Sequence, residues 1–391
     1  MRLVLSTVLA ALIAAAPAGA AAPHQDPDGF TPIAQRVVAP PWPVEGSDGR
    51  VHVVYEVQLA NTIPVPWRVT GVTVRAATGR GRALASWKGA RVGDVMRSLA
   101  NGRDARRIGP GEGAVLHLTF SVPQRSRLPR AIVHELTLTS AAGSGAPPRA
   151  VQVGARARLV RRAPVVLGPP LQGDRWLAAD GCCLARRHVR AFQPFGGALR
   201  TAQRFAIDFE RLDPSGRLFV GDKQVLTNWE GYGENVIAVA DGTVIRAIDG
   251  RPNQIPGALP ESIDPLHADG NMVFLRLRDG RIVVYAHMIP GTVAVREGDR
   301  VVRGQLLGNV GNSGNSSAPH LHLHVIPRNA IFGVNGLPYV FDAFEVTGRV
   351  ASTAAFDHAE ATGEPVRLGP VRTGPVRDAL SLDQVIVTWP G

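Results

Sequence analysis

Cysteine is nearly absent: the 391 residues contain two, the neighbours Cys182 and Cys183. That excludes a fold stapled by a disulfide framework. The pair can close a vicinal disulfide, bond between chains or stay reduced, and the sequence does not choose. Lysine is scarcer than in most chains, at Lys88 and Lys223 only, so the positive charge is carried almost wholly by arginine. Aromatic residues make up 6% of the chain, and no basic run interleaves with them, which argues against nucleic acid as a partner. Beyond residue 16 no stretch is long and apolar enough to cross a bilayer, so no integral membrane span is expected after removal of the leader.

What is present begins with that leader. Arg2 precedes the apolar run at 3–16, and Ala18-Gly19-Ala20 follows Pro17. A charged start, a short apolar core and small residues form a secretory signal peptide over 1–20, so an exported protein of the secreted, periplasmic or cell-envelope kind is expected. The formal charge is +11; loss of residues 1–20 removes only Arg2 and leaves 42 basic against 32 acidic residues. Such a balance draws an exported protein toward anionic surfaces, of which a bacterial wall is one; solubility charge spread evenly is the alternative.

The organisation is all-β. Residues 21–48 are Pro-rich and form a loose leader. From 49 to 160 the pattern has period two, as in Val51, Val53, Tyr55, Val57 and Leu59, with polar residues mostly between, and again in Leu116, Leu118 and Phe120. Such alternation predicts half-buried strands and an antiparallel β-sandwich, immunoglobulin-like in plan. His52, His117 and His134 stand singly in these strands and are read as structural. A Pro/Gly-rich linker and approach segment covers 161–199. A second strand-rich domain of short hairpins runs over 200–345, with Asp241-Gly242 as a hairpin signal. The tail, 346–391, reads as loop with one late strand at Gln384–Val387.

Chemistry concentrates in the second domain. In Pro319-His320-Leu321-His322-Leu323-His324 the three imidazoles fall on one face of a strand. Neutral imidazole is a common zinc ligand, so this face is a candidate edge of a metal site; a solvated polar face is the alternative. Tyr285-Ala286-His287 ends an apolar strand in a histidine. Gly311-Asn312-Ser313-Gly314 leads into the His-rich strand. Asp208 lies within the apolar run Phe205–Phe209, where a carboxylate needs a charge partner or a metal. Asn228 and Tyr232, near Gly231 and Gly233, either line a groove or form turns.

The order of these pieces resembles the lysostaphin/LytM-type zinc metallopeptidases over about 200–330. Asp241-Gly242-Thr243-Val244, Pro290-Gly291-Thr292-Val293, Glu297-Gly298-Asp299-Arg300-Val301 and Gly304-Gln305-Leu306-Leu307-Gly308 match as well. The resemblance implies a lysostaphin-like antiparallel β domain of the duplicated, barrel-sandwich hybrid type. It implies an exported zinc endopeptidase that hydrolyses peptide cross-links of peptidoglycan, with wall peptides as its partners. Asp208 and His322 take the positions of metal ligands, and His287 and His320 those of the catalytic, non-ligand histidines. Arg204, Asn228, Tyr232, Asn312 and Ser313 fall along the substrate groove.

One position departs from the pattern. The family's first ligand is a histidine four residues before the aspartate, and here Arg204 stands there, with Ala206 in the place of the glycine. Arginine has only donors and stays protonated, so it cannot ligate zinc. Either His188, His324 or His267 completes the site, or the domain is a degenerate member that binds wall peptide or regulates a wall hydrolase. Arg204 itself either lies in the groove or pairs with Asp208. A biotinyl- or lipoyl-carrier reading of the doubled hairpins fails, because Thr243 and Asp299-Arg300 at the tips include no lysine.

Overall fold

The computed structural model describes residues 29–390 apart from 79–80, 101–103, 144–145, 185 and 263, so the leader over 1–20 lies outside the described residues. Its N-terminal half is two facing antiparallel sheets. Five strands form their centre: β1 (Arg50–Ala60), β2 (Trp67–Ala76), β3 (Gly113–Pro123), β4 (Ala131–Ser140) and β5 (Arg149–Arg158). One sheet runs Ala34–Val37, β1, β3, Met96–Ser98; the other runs β5, β4, β2, Ala83–Lys88. The alternation read from the sequence packs Val53, Tyr55, Val57, Leu116 and Leu118 against Val69, Val72, Leu136 and Leu138 from the opposite sheet. A two-sheet sandwich follows; its immunoglobulin-like plan stays an expectation. Glu56 and His117 point the other way and form a cross-strand pair of β1 and β3.

The C-terminal half is built on one long sheet. Its central strands are β6 (Trp176–Ala179), β7 (Ile207–Arg211), β8 (Gly242–Ile248), β9 (Asn271–Leu277), β10 (Ile282–Met288), β11 (Leu321–Ile326), β12 (Tyr339–Arg349) and β13 (Val385–Thr388). They lie side by side in the order β12-β13-β6-β7-β11-β10-β9-β8. Strand β11 is buried along its whole length, with Leu321, Leu323 and Val325 in the main core, so the histidine face is not solvated.

Four segments differ from the sequence reading. The Pro-rich stretch taken as a loose leader over 21–48 supplies two strands, Ala34–Val37 and Trp42–Glu45, both paired with β1. The stretch taken as a linker supplies β6 and a short strand at Val165–Leu167 that pairs in parallel with β12. The tail contributes the end of β12, all of β13, a strand at Gly374–Ala379 and a helix, α1 (Thr353–Thr362), capped by the Ser352 hydroxyl, which accepts from the Ala355 N–H at 3.1 Å. Pro and Gly obscured these strands, which are short and satisfied by neighbours far along the chain. Asp241-Gly242 closes no hairpin: Asn235–Ile237 pairs with Leu306–Asn309, whereas β8 pairs with β9 and Arg300–Val301. The turn is a corner between two sheets.

The two halves share buried surface. Val44 and Val54 of the sandwich belong to the main C-terminal core. Leu380 donates its N–H to the Glu45 carbonyl at 2.8 Å, and Ser47 returns one to Leu380 at 2.9 Å.

Candidate metal centre

The sheet order brings the separated pieces to one place. Strand β7 lies between β6 and β11, and β10 flanks β11 on its far side. Asp208 on β7 is the cross-strand partner of His322 on β11, and His322 is opposite Ala286 on β10, the neighbour of His287. Opposite Asp208 on the other side is Ala179, which leads into Asp180 and the turn carrying His188. Because Ile207 and Phe209 fill the core, Asp208 faces the other way.

The donor atoms converge on the Asp208 carboxylate. His322 Nδ1 lies 2.8 Å from its Oδ1 and His320 Nε2 lies 3.4 Å from the same oxygen. His188 Nε2 lies 3.5 Å from Oδ2. His188, Asp208 and His322 each offer a ligand atom within 4.8 Å of the others, and so do His287, His320 and His322. Three of the histidines are held alike, each with Nδ1 against a backbone carbonyl. His188 meets Asp180 at 3.0 Å, His287 meets Ser313 at 2.7 Å and His320 meets Ala318 at 2.7 Å. Donation of the Nδ1 proton to a carbonyl leaves Nε2 as the free lone pair, the second-sphere arrangement that metal-binding histidines use. His322 differs, because its Nδ1 faces Asp208 and its Nε2 faces His324 Nδ1 at 2.9 Å.

Ionisation favours the same role. Burial would raise the Asp208 carboxyl, but His188, His320 and His322, with the hydrogen bond from His322, hold it well below the usual range. Burial pushes His322 down, and pushes His287 down further with the neighbouring His320 and His322 in support. An anionic Asp208 beside a His322 imidazole disfavoured from charging is the state a metal requires of those two groups. Burial also raises Asp269 to about 7, against the pull of Arg246, Arg251 and His188.

These groups line a cleft of about 290 Å³ with Asp180, Arg187, Gln203, Leu259, Asp269 and Asn315–Ser317. Asp180, Gln203 and Asp269 had no sequence signal, since each is a lone polar residue whose neighbours arrive only through the sheet order. His287 adopts φ 65°, a left-handed conformation that turns it out of the strand alternation. A non-glycine residue held there costs of order 1 kcal/mol or more and is characteristic of functional sites. The loop before β11 is fixed by close backbone approach. A Cβ at Gly314 (φ +79°) would meet the Ala268 carbonyl at 2.4 Å, and one at Gly270 (φ +61°) would meet Ser313 at 2.5 Å.

The remaining sequence candidates fall elsewhere. Arg204 neither lies in the cleft nor pairs with Asp208: it is buried, and Nε and Nη2 donate to the two Glu56 carboxylate oxygens, with Nη2 also reaching Thr201 Oγ1 at 2.7 Å. A buried guanidinium needs a carboxylate, and the sandwich presents one. Asn312 and Ser313 are fully buried and brace the loop: Ser313 Oγ accepts from the Asn271 N–H and donates to the Met288 carbonyl, and Asn312 Nδ2 donates to Gln254. Asn228 donates to the Asp222 carbonyl within its turn, and Tyr232 accepts from Asn253. His324 stands behind His322, away from Asp208, and His267 is exposed on a short helical turn outside the cleft. Cys182 and Cys183 form a vicinal disulfide between Asp180 and His188.

Comparison with known proteins places this domain. Residues 228–332 match Peptidase family M23, a stretch that includes His287, His320 and His322 and begins after Asp208. The greater part of the second domain is thus similar to that peptidase family. Among solved structures, lysostaphin from Staphylococcus simulans is 22% identical over 33% of this chain and 40% of its own, with a TM-score of 0.21. The catalytic domain of a point mutant of the prophage-encoded M23 protein EnpA from Enterococcus faecalis is 18% identical over 45% and 93%, TM-score 0.25. A zinc-containing peptidase from Vibrio cholerae is 14% identical over 75% and 82%, TM-score 0.22. The match covers less than two thirds of that lysostaphin chain's own length.

Proposed function

We propose that the protein is an exported zinc endopeptidase of bacterial peptidoglycan in which His188 replaces the family's missing histidine. The observation that carries this reading is the convergence of His188 Nε2 and His322 Nδ1 on the Asp208 carboxylate, at 3.5 and 2.8 Å, beside the stretch that matches the M23 family. Two imidazoles and a carboxylate are a donor set that suits zinc with a fourth position open to water. Bound there, zinc would polarise a peptide carbonyl and lower the pKa of water to about 7. His287 and His320 line the same cleft, each with Nδ1 against a backbone carbonyl and Nε2 left for the reaction side, that of His320 3.4 Å from Asp208 Oδ1. They are placed to take a proton from the attacking water, to hydrogen-bond the oxyanion and to return a proton to the leaving amine. Asp208 stays ionised, and Asp180 fixes the His188 tautomer through its carbonyl.

Export rests on the leader at 1–20. Peptidoglycan as substrate rests on the family resemblance and the basic charge. The test is zinc content by elemental analysis of full-length mature protein and its His188→Ala variant, followed by release of free amines from purified peptidoglycan. One zinc per chain that the variant loses, together with amine release by the wild type, is the expected outcome. Zinc unaffected by the variant overturns His188 as a ligand, and metal-free protein that releases no amines overturns the peptidase reading and leaves a binding or regulatory member.

A further inference from the structure

The turn that carries His188 is not held by the peptidase domain alone. It spans Arg187–Arg190, and Val189 at its centre is fully buried. From the sandwich, His117 Nδ1 lies 3.2 Å from the Val189 carbonyl oxygen and donates to it. Phe192, just after the turn, packs with its ring centroid 5.4 Å from that of His117, and the Arg97 guanidinium lies 5.1 Å from the same ring. Arg190 donates to the carbonyl of Asp94, again in the sandwich. Beside His117 on the adjacent strand, Glu56 binds Arg204, the residue at the vacated ligand position. One cross-strand pair therefore grips both the place from which a ligand is missing and the turn that supplies another.

We infer that the N-terminal sandwich is part of the metal centre's scaffold, with His117 and Glu56 as positioning residues that hold His188 toward Asp208. This rests on the reading of His188, Asp208 and His322 as a zinc site. The physical reason is the isolation of the turn. His188 belongs to no strand of the sheet, so its position is set by its tethers, whereas Asp208 and His322 are locked by register. On the peptidase side the tethers are the Asp180 carbonyl to His188 itself and the Arg187 ion pairs with Asp180 and Asp357. The Val189 side chain adds packing in the main core, while its carbonyl, Arg190 and Phe192 are held from the sandwich. Loss of an outer-sphere support typically weakens metal binding 10–100-fold.

The experiment uses full-length protein and measures zinc affinity by competition with a chromophoric chelator, with thermal unfolding recorded alongside. His117→Leu removes the donor to Val189 and is expected to weaken zinc about tenfold or more. His117→Asn, which keeps an N–H at a similar reach, is expected to return affinity to within about threefold of wild type by restoring that hydrogen bond. Val72→Ala, in the sandwich core away from the turn, lowers stability and is expected to leave zinc affinity unchanged. Arg190→Ala cuts a surface tether and serves if His117→Leu does not fold, with weakening in the same direction expected. Zinc affinity unchanged in folded His117→Leu or Arg190→Ala, or reduced equally in Val72→Ala, overturns the scaffold role alone. Wild-type protein that binds no zinc overturns the metal reading and this inference together.

Discussion

Restoring the family's histidine is expected to fail. In Arg204→His the imidazole replaces a guanidinium that makes a two-pronged bond to Glu56, with the side chains 3% and 1% exposed. Imidazole is shorter and lacks the fork, so Glu56 is left as a buried charge without a full partner. Removal of one member of a buried pair costs about 3–5 kcal/mol. A loss of about 3 kcal/mol is a large share of the roughly 5–15 kcal/mol that holds a typical domain. With a urea dependence of about 1–3 kcal/mol per molar, the unfolding midpoint should fall by roughly 1 M or more. The assay is urea denaturation of wild type, Arg204→His, and the double variant Arg204→Met with Glu56→Leu, which removes both charges and should recover most of the loss. Zinc content decides the other half. Because residue 204 faces the sandwich, a variant combining Arg204→His with His188→Ala should bind no stoichiometric zinc. One zinc per chain in that variant, or an Arg204→His midpoint equal to wild type, would refute the reasoning.

Four further outcomes are expected. His322→Ala should lose zinc as His188→Ala does, whereas His267→Ala, outside the cleft, should retain it, both read by elemental analysis. His287→Ala and His320→Ala should keep zinc and lose peptide hydrolysis by about 10²-fold or more, as removal of a general acid–base does; loss of zinc instead would make them ligands. Saturating zinc at about 100 times its dissociation constant should add about 2.7 kcal/mol of stability, seen as a rise in Tm that EDTA reverses. Acid should weaken the sandwich: burial lowers His134 from 6.5 to about 4. Between those values the unfolded chain binds the proton and the folded one does not, so stability is full above about pH 6.5 and is lost as pH falls toward 4, by about 3 kcal/mol. His134→Gln, followed by denaturation at about pH 7 and about pH 4.5, should flatten that slope; an unchanged slope would assign it to other groups.

The reach of the sequence differs between fold and site. Period-two alternation at 51–59 and 116–122 is a local property of a half-buried strand, so the sandwich could be read directly. The same rule failed at β6 and in the tail. Trp176–Ala179 is buried on both faces and shows no alternation, and the strands of the tail sit among prolines and glycines. Asp208, His287, His320 and His322 were legible because each lies in a short motif whose order matches a known family. The role of Arg204 was not: its chemistry excluded zinc, but its partner, Glu56, lies 148 residues away.

By itself, then, the sequence determined that the chain is all-β, that its second half carries peptidase-like motifs, and that arginine at 204 cannot be a ligand. Those are statements about residue chemistry and local period, which need no knowledge of neighbours. Only the tertiary structure decided which of His188, His267 and His324 stands beside Asp208. Imidazoles are chemically alike wherever they occur in the chain, and what separates them is direction: His324 is turned behind His322, His267 faces solvent, and His188 is aimed at the carboxylate by the Asp180 carbonyl and the docked sandwich.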